Sequence, residues 1–404
     1  MKSLKQAGKL LSIGTMLCST LGPAEAQISN DVVKIGFATD MAGLYADLDG
    51  PGGVEAVRMA IADFGGKVAG KNIELIFFDH QNKPDVASAK TREFVDVQKV
   101  DLLLGGVNSA VGLAMSRIAA DKKTVYISVG AGTARLTNED CTPYTINYAL
   151  DTIAQARVAG RAVTNQGGKT WFFLVADYAF GHSLEKDTSE VVKGNGGSIT
   201  GSVRHPLGTA DFSSFLIQAQ SSKAQVLALA DAGSDLHNAV KAASEFGVTR
   251  TMRMTALMQF ITDTHTMGLN ATQGMYLSEA WYWDLNDDTR AWSRRFYERT
   301  KRMPTVLQAG AYSATTTYLK AVRAVGTDDA DKVMANIKSN KINDFFAKNG
   351  YVRPDGRMIH DYYLMQVKKP SESKYAWDYY NLIQTVAGED AFNTKDETKC
   401  PLWK

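Results

Sequence analysis

The residues able to do chemistry are scattered along the chain. The six histidines, His80, His182, His205, His237, His265 and His360, form no close pair and no HExxH pattern. No zinc-activated water is therefore expected. No GxSxG elbow presents a nucleophile. Gly130-Ala131-Gly132 starts a dinucleotide fingerprint, but Arg135 stands where its third glycine belongs. Gly168-Lys169-Thr170 ends like a phosphate loop, yet Val163 takes the place of the first glycine. Asp284, Asn286 and Asp288 open like a calcium loop, but Thr289 and Arg295 replace its turn glycine and closing glutamate. Only a triad assembled by the fold stays open. The expectation is a protein without catalytic residues, metal or cofactor.

Four loops combine small residues, hydroxyls and aromatic rings instead. The first runs from Thr39 through Tyr45 and Asp47 to Gly50-Pro51-Gly52-Gly53. The second is Gly105-Gly106-Val107-Asn108-Ser109, the third Gly130-Ala131-Gly132-Thr133 and the fourth Asp177-Tyr178-Ala179-Phe180-Gly181. Small residues free backbone N–H groups for an anion, and Ser109 and Thr133 add hydroxyls. Tyr45, Tyr178 and Phe180 offer apolar faces. The plainer readings are a surface turn, a helix N-cap at Ser109 and core aromatics.

The elements around these loops alternate. Val32–Ala38, Ile73–Asp79, Leu102–Leu104 and Val125–Val129 read as short apolar strands, with amphipathic helices between them. A second series begins after Asp151, with strands at Thr170–Ala176, Ser198–Arg204, Val226–Ala230 and Met252–Thr255. Beyond Tyr282 the pattern is mainly helical, until a turn at Arg353-Pro354-Asp355-Gly356 leads to a strand at Tyr362–Val367. This rhythm predicts an α/β protein of two Rossmann-like lobes, with ligand loops at the carboxyl ends of parallel strands.

The segments GLYAD, GPG and VEAVRMA (Gly43–Ala60), GGVNS, SVGAGTARLT and ADYAFG, in that order, resemble the leucine/isoleucine/valine-binding family of periplasmic proteins, type I fold. The resemblance spans about Val32 to Gln366. It implies three crossings between lobes, near Ala149–Asp151, Ala280–Tyr282 and Gly350–Arg353. Lobe one would hold residues 27–149 and 282–350, and lobe two 150–281 and 351–404. It also implies that Ser109, Ala131, Gly132 and Thr133 hold a ligand carboxylate, while Tyr45 and Phe180 line the cleft. Amino-acid binders of the family place an acid after the strand matching Met252–Thr255. Here the segment is Ala256-Leu257-Met258-Gln259-Phe260. An unpaired buried ammonium is costly. With Tyr282, Trp283, Leu257, Met258 and Phe260 nearby, an aromatic or branched organic acid is the expected ligand. Asp47, Asp231 or Asp263 keeps an amino acid open as the alternative. The implied role is the binding component of an ABC importer, closing its lobes on the ligand and meeting permease subunits in the inner membrane. A sensor of the same fold is the rival.

Length and composition agree with a folded, exported chain. The 404 residues are 45% apolar and 22% charged, with a net charge of +2. No basic block suggests nucleic acid. Lys2, Lys5 and Lys9 precede the short apolar stretch Leu10–Leu21, and Ala24-Glu25-Ala26 offers a cleavage site. Residues 1–26 therefore read as a signal peptide cut after Ala26, giving a periplasmic product. Cys141 and Cys400 remain after the cut, and an oxidising compartment favours a bridge over two separate thiols. A monomer is expected.

Overall fold

The computed structural model describes residues 27–404. The expected signal peptide over 1–26 lies outside the described residues.

The first lobe comprises β1 (Val32–Thr39), α1 (Gly50–Asp63), β2 (Lys67–Val68), β3 (Lys71–Asp79), α2 (Pro84–Asp96), β4 (Leu102–Gly105), α3 (Ser109–Lys122), β5 (Val125–Ser128) and β6 (Thr145–Asn147). Its six-stranded sheet has the order β2-β3-β1-β4-β5-β6. All pairs are parallel except the β2–β3 pair. Leu102, Leu103 and Leu104 are fully buried, as are Val125, Tyr126 and Ile127. Continuous apolar runs of this kind suit strands covered on both faces by helices.

The second lobe opens with α4 (Thr152–Gln155), a π turn (Ala156–Gly160) and α5 (Arg161–Asn165), which run on as one helix. Then follow β7 (Thr170–Ala176), α6 (Ala179–Gly194), β8 (Ser198–His205), α7 (Ser213–Ser221), β9 (Val226–Ala230), α8 (Gly233–Glu245) and β10 (Arg253–Ala256). Their parallel sheet has the order β10-β9-β7-β8. Both sheets start from an inner strand and wind outward in two directions. The strand order therefore reverses between β1 and β4 in one lobe, and between β7 and β9 in the other. Ligands of open α/β sheets bind at such switch points, beyond the carboxyl ends of the strands.

The rest of the chain passes between the lobes. It contributes α9 (Ile261–Met267), α10 (Leu269–Thr272), β11 (Tyr276–Glu279), α11 (Asp287–Thr300), α12 (Val306–Val325), α13 (Ala330–Ser339), β12 (Tyr351–Val352), β13 (Met358–Ile359), β14 (Tyr362–Val367), β15 (Tyr380–Val386) and α14 (Gly388–Ala391). Helix α12 packs along α1, and β11, β14 and β15 form an antiparallel sheet. The β12–β13 hairpin seats against β6. The Asn147 N–H donates to the Gly356 carbonyl at 2.9 Å. A Cβ on Gly356 would lie 2.2 Å from the Thr145 carbonyl, and its φ is +85°, so only glycine fits there. The turn delivers Arg357, fully buried, whose guanidinium donates to the Leu150 carbonyl at 2.6 Å and the Tyr148 carbonyl at 2.8 Å. The chain returning to lobe two is thus stitched to the first crossing. Cys141 and Cys400 are joined in a disulfide.

Candidate ligand-binding cleft

The carboxyl ends of the two sheets face each other and enclose one apolar space. From lobe one come Tyr45 and Leu48 after β1, Val107 after β4, Gly130 after β5 and Leu150 after β6. Lobe two supplies Tyr178 and Phe180 after β7, Ala232 after β9, and Met258 and Phe260 after β10. Leu307, in the first turn of α12, closes the wall. The space is nearly closed, with room of about 10 Å³ for a water-sized body, so a ligand enters only as the lobes part.

Polar groups meet at its rim. The Tyr45 and Tyr178 hydroxyls, one from each lobe, lie 2.8 Å apart. Burial, and then Tyr178, push the Tyr45 phenol well above its ordinary range, so it stays protonated. The Thr133 hydroxyl meets the Ser183 hydroxyl of α6 at 2.8 Å, again across the lobes. The Thr133 N–H donates to Ser109 Oγ at 3.2 Å. Asn108 caps α3 by accepting from the N–H groups of Ala110 and Val111, so Ser109 occupies the first helical position rather than the cap. The Ser234 N–H donates to the Leu44 carbonyl at 3.3 Å. This approach needs Gly233, where a Cβ would lie 2.3 Å from that carbonyl.

Ala131 and Gly132 are both buried beside these groups. A Cβ on Gly132 would stand 3.1 Å from the Phe180 ring and 3.3 Å from Met258. Smallness at this position therefore lets the two lobes touch.

The acidic candidates lie elsewhere. Asp47 pairs with Arg302 at the surface. Asp263 takes His237 Nε2 at 2.7 Å and the Phe260 N–H at 2.8 Å, which caps α9. Asp231 is fully buried, with His205 Nε2 at 3.7 Å and no hydrogen-bond partner on either oxygen. Burial raises its carboxyl above the usual range, against the lowering effect of His205. It precedes the lining residue Ala232, as Asp47 precedes Leu48, but unlike Asp47 it is fully buried. Tyr282 and Trp283 are also drawn away from the cleft. The Tyr282 hydroxyl and the Trp283 Nε1–H both donate to the Trp377 carbonyl, at 3.3 and 3.1 Å. Leu48, Leu150, Leu307 and Ser183 join the site without any mark in the sequence.

A family model described as periplasmic binding protein matches residues 32–374. The chain belongs to the periplasmic binding protein family. The curated Leu/Ile/Val-binding protein homolog 6 of Brucella abortus (strain 2308) is 24% identical over 374 residues, covering 88% of this chain and 92% of that protein. Among solved structures, a periplasmic binding protein from Burkholderia mallei is 61% identical with a TM-score of 0.92, covering 93% of this chain and all (100%) of that one. A branched-chain amino acid ABC transporter periplasmic ligand-binding protein from Burkholderia xenovorans LB400 is 38% identical with a TM-score of 0.82, covering 92% of this chain and 100% of that one. The fold is the type I periplasmic-binding-protein fold, and the family's members are solute-binding proteins of ABC transporters, not enzymes.

Proposed function

We propose that this protein captures a small organic acid with an aromatic or branched apolar body and presents it to the permease of an ABC importer. One observation carries the ligand class: the cleft wall is apolar, and Asp47 and Asp263 are each committed to a basic partner outside it. With Asp47 and Asp263 engaged, an ammonium group would have to rely on Asp231, whose carboxyl is raised by burial toward its neutral form. An ammonium left unpaired in such a wall is costly. A carboxylate fits better. It can accept hydrogen bonds from the hydroxyls of Ser109, at the start of α3 where the helix dipole favours negative charge, and of Thr133 in the loop after β5. The apolar body then lies against Tyr45, Phe180, Met258 and Phe260. Lobe closure buries it and completes the shape the permease reads. Export by cleavage after Ala26, a periplasmic location and action as a monomer belong to the same proposal.

A branched-chain or other amino acid is the second reading, favoured by Asp231, whose oxygens have no hydrogen-bond partner beside Ala232. A thermal-shift screen separates the two. Benzoates, cinnamates, aliphatic acids and branched-chain amino acids are titrated, since a ligand that binds only the folded state raises the melting temperature. Shifts by acids lacking an amine support the proposal. Shifts by amino acids alone, abolished in Asp231→Asn, refute it in favour of the second reading.

A further inference from the structure

The C-terminal tail after α14 touches both lobes, and its two grips differ in kind. On lobe one the grip is covalent, through the Cys400–Cys141 disulfide in the loop before β6. Around it the Lys399 N–H and the Asn393 side-chain amide both donate to Asn138 Oδ1, at 3.2 and 3.1 Å. On lobe two Phe392 is buried against the His360 and Tyr362 rings and Arg353 donates to the Asn393 carbonyl, while farther out the grip is ionic, through Arg157. Its guanidinium donates to the Phe392 carbonyl at 2.5 Å and to Glu397 Oε1 at 2.7 Å. Arg157 stands in the π turn of the α4–α5 helix, an irregularity that often marks a working position. Glu397 is held ready by the Thr394 N–H, which donates to its other oxygen at 2.7 Å.

We infer that the tail is a strap across the lobes: the disulfide fixes one end permanently, and Arg157 is a releasable latch that favours the closed arrangement. Three peptide steps separate Glu397 from Cys400, no more than about 11 Å of extended chain. While Arg157 holds Glu397, the helix after the first crossing cannot swing far from the loop carrying Cys141. Opening requires the ionic grip to let go, whereas the covalent one keeps the tail positioned for recapture. Without the disulfide, the lobe-one end would depend on hydrogen bonds alone. The inference needs only two lobes that move, and does not depend on which ligand binds.

Small-angle X-ray scattering of the purified protein without added ligand tests it. A compact chain of this length has a radius of gyration of roughly 21 Å. Arg157→Ala is expected to raise the radius above the wild-type value, and Glu397→Gln to raise it less. Cys141→Ser combined with Cys400→Ser is expected to raise it too, and adding Arg157→Ala to that pair should bring little more, since both cut the same strap. Circular dichroism separates opening from unfolding. If Arg157→Ala unfolds the protein, Glu397→Gln decides, because that side chain is about half-exposed (49%) and tolerant of change. A wild-type radius in folded Glu397→Gln and folded Arg157→Ala overturns the inference.

Discussion

Gly132→Ala should weaken ligand binding while sparing the ligand-free fold. Its added Cβ would lie 3.1 Å from two carbons of the Phe180 ring and 3.3 Å from the Met258 methyl. Gly132 belongs to lobe one, whereas Phe180 and Met258 belong to lobe two. The crowding therefore exists only when the lobes meet. Inserting a methyl into a packed contact costs typically about 1–3 kcal/mol. Both neighbours need yield only a few tenths of an ångström, which places the cost at about 1 kcal/mol. At a factor of ten per ~1.4 kcal/mol, affinity falls roughly fivefold. Isothermal titration with the acid selected by the thermal-shift screen measures this, and the melting temperature of the ligand-free variant is the control. Unchanged affinity would show that closure does not bring Gly132 against Phe180. An equal loss of stability without ligand would show that the crowding is present in the open form as well.

Three further outcomes follow from contacts described above. Tyr45→Phe removes one half of the 2.8 Å hydroxyl pair across the cleft and should cost about 1 kcal/mol of closure, read as a several-fold rise in Kd; an unchanged Kd would mean the pair does not contribute. Replacing Cys141 and Cys400 together by Ser should lower unfolding free energy in urea by about 2–5 kcal/mol, because the bridge closes a long stretch of chain, a sequence separation of 259; urea midpoints within error of wild type would contradict this. Burial raises the Asp49 carboxyl from 3.8 to about 7, despite the lowering effect of the Thr39 hydroxyl. A carboxyl raised on folding stabilises fully below its unfolded value and loses that contribution as pH rises through 7. Stability should therefore decline between about pH 4 and pH 7, and Asp49→Asn should flatten the decline and raise the urea midpoint at pH 8. Equal wild-type midpoints at pH 5 and pH 8 would refute the assignment.

Much of the frame was legible because buried parallel strands advertise themselves. Thr170–Ala176 and Val226–Ala230 coincide with β7 and β9 to the residue, being unbroken apolar runs between turn residues. The missed strands lack that mark. β6 is three residues long, and β15 leaves Leu382 and Ile383 about half-exposed (50% and 46%) on an edge. Helix α6 starts at Ala179, so the expected loop residue Phe180 and the unforeseen Ser183 both stand in its first turns. In the cleft, Tyr45, Tyr178, Phe180 and the Ala131–Thr133 segment could be placed because loops at carboxyl edges must converge. The acids and the Tyr282–Trp283 pair could not. Arg302, His237 and Trp377, which hold them, are brought near by the fold, and nothing local announces such partners. Leu48, Leu150 and Leu307 were invisible for a simpler reason: one leucine among many carries no sign of which surface it faces.

All but one of the residues around the apolar space follow the last residue of a strand, and none lies within one. On the proposed function, recognition and architecture are thus written in separate parts of the gene. A lineage that meets a new nutrient can exchange Met258, Phe260 or Tyr178 for other side chains while both sheets keep their registers. Divergence of diet among such proteins should collect in a few short loops, and comparison of strands alone would report kinship while saying nothing about what is eaten.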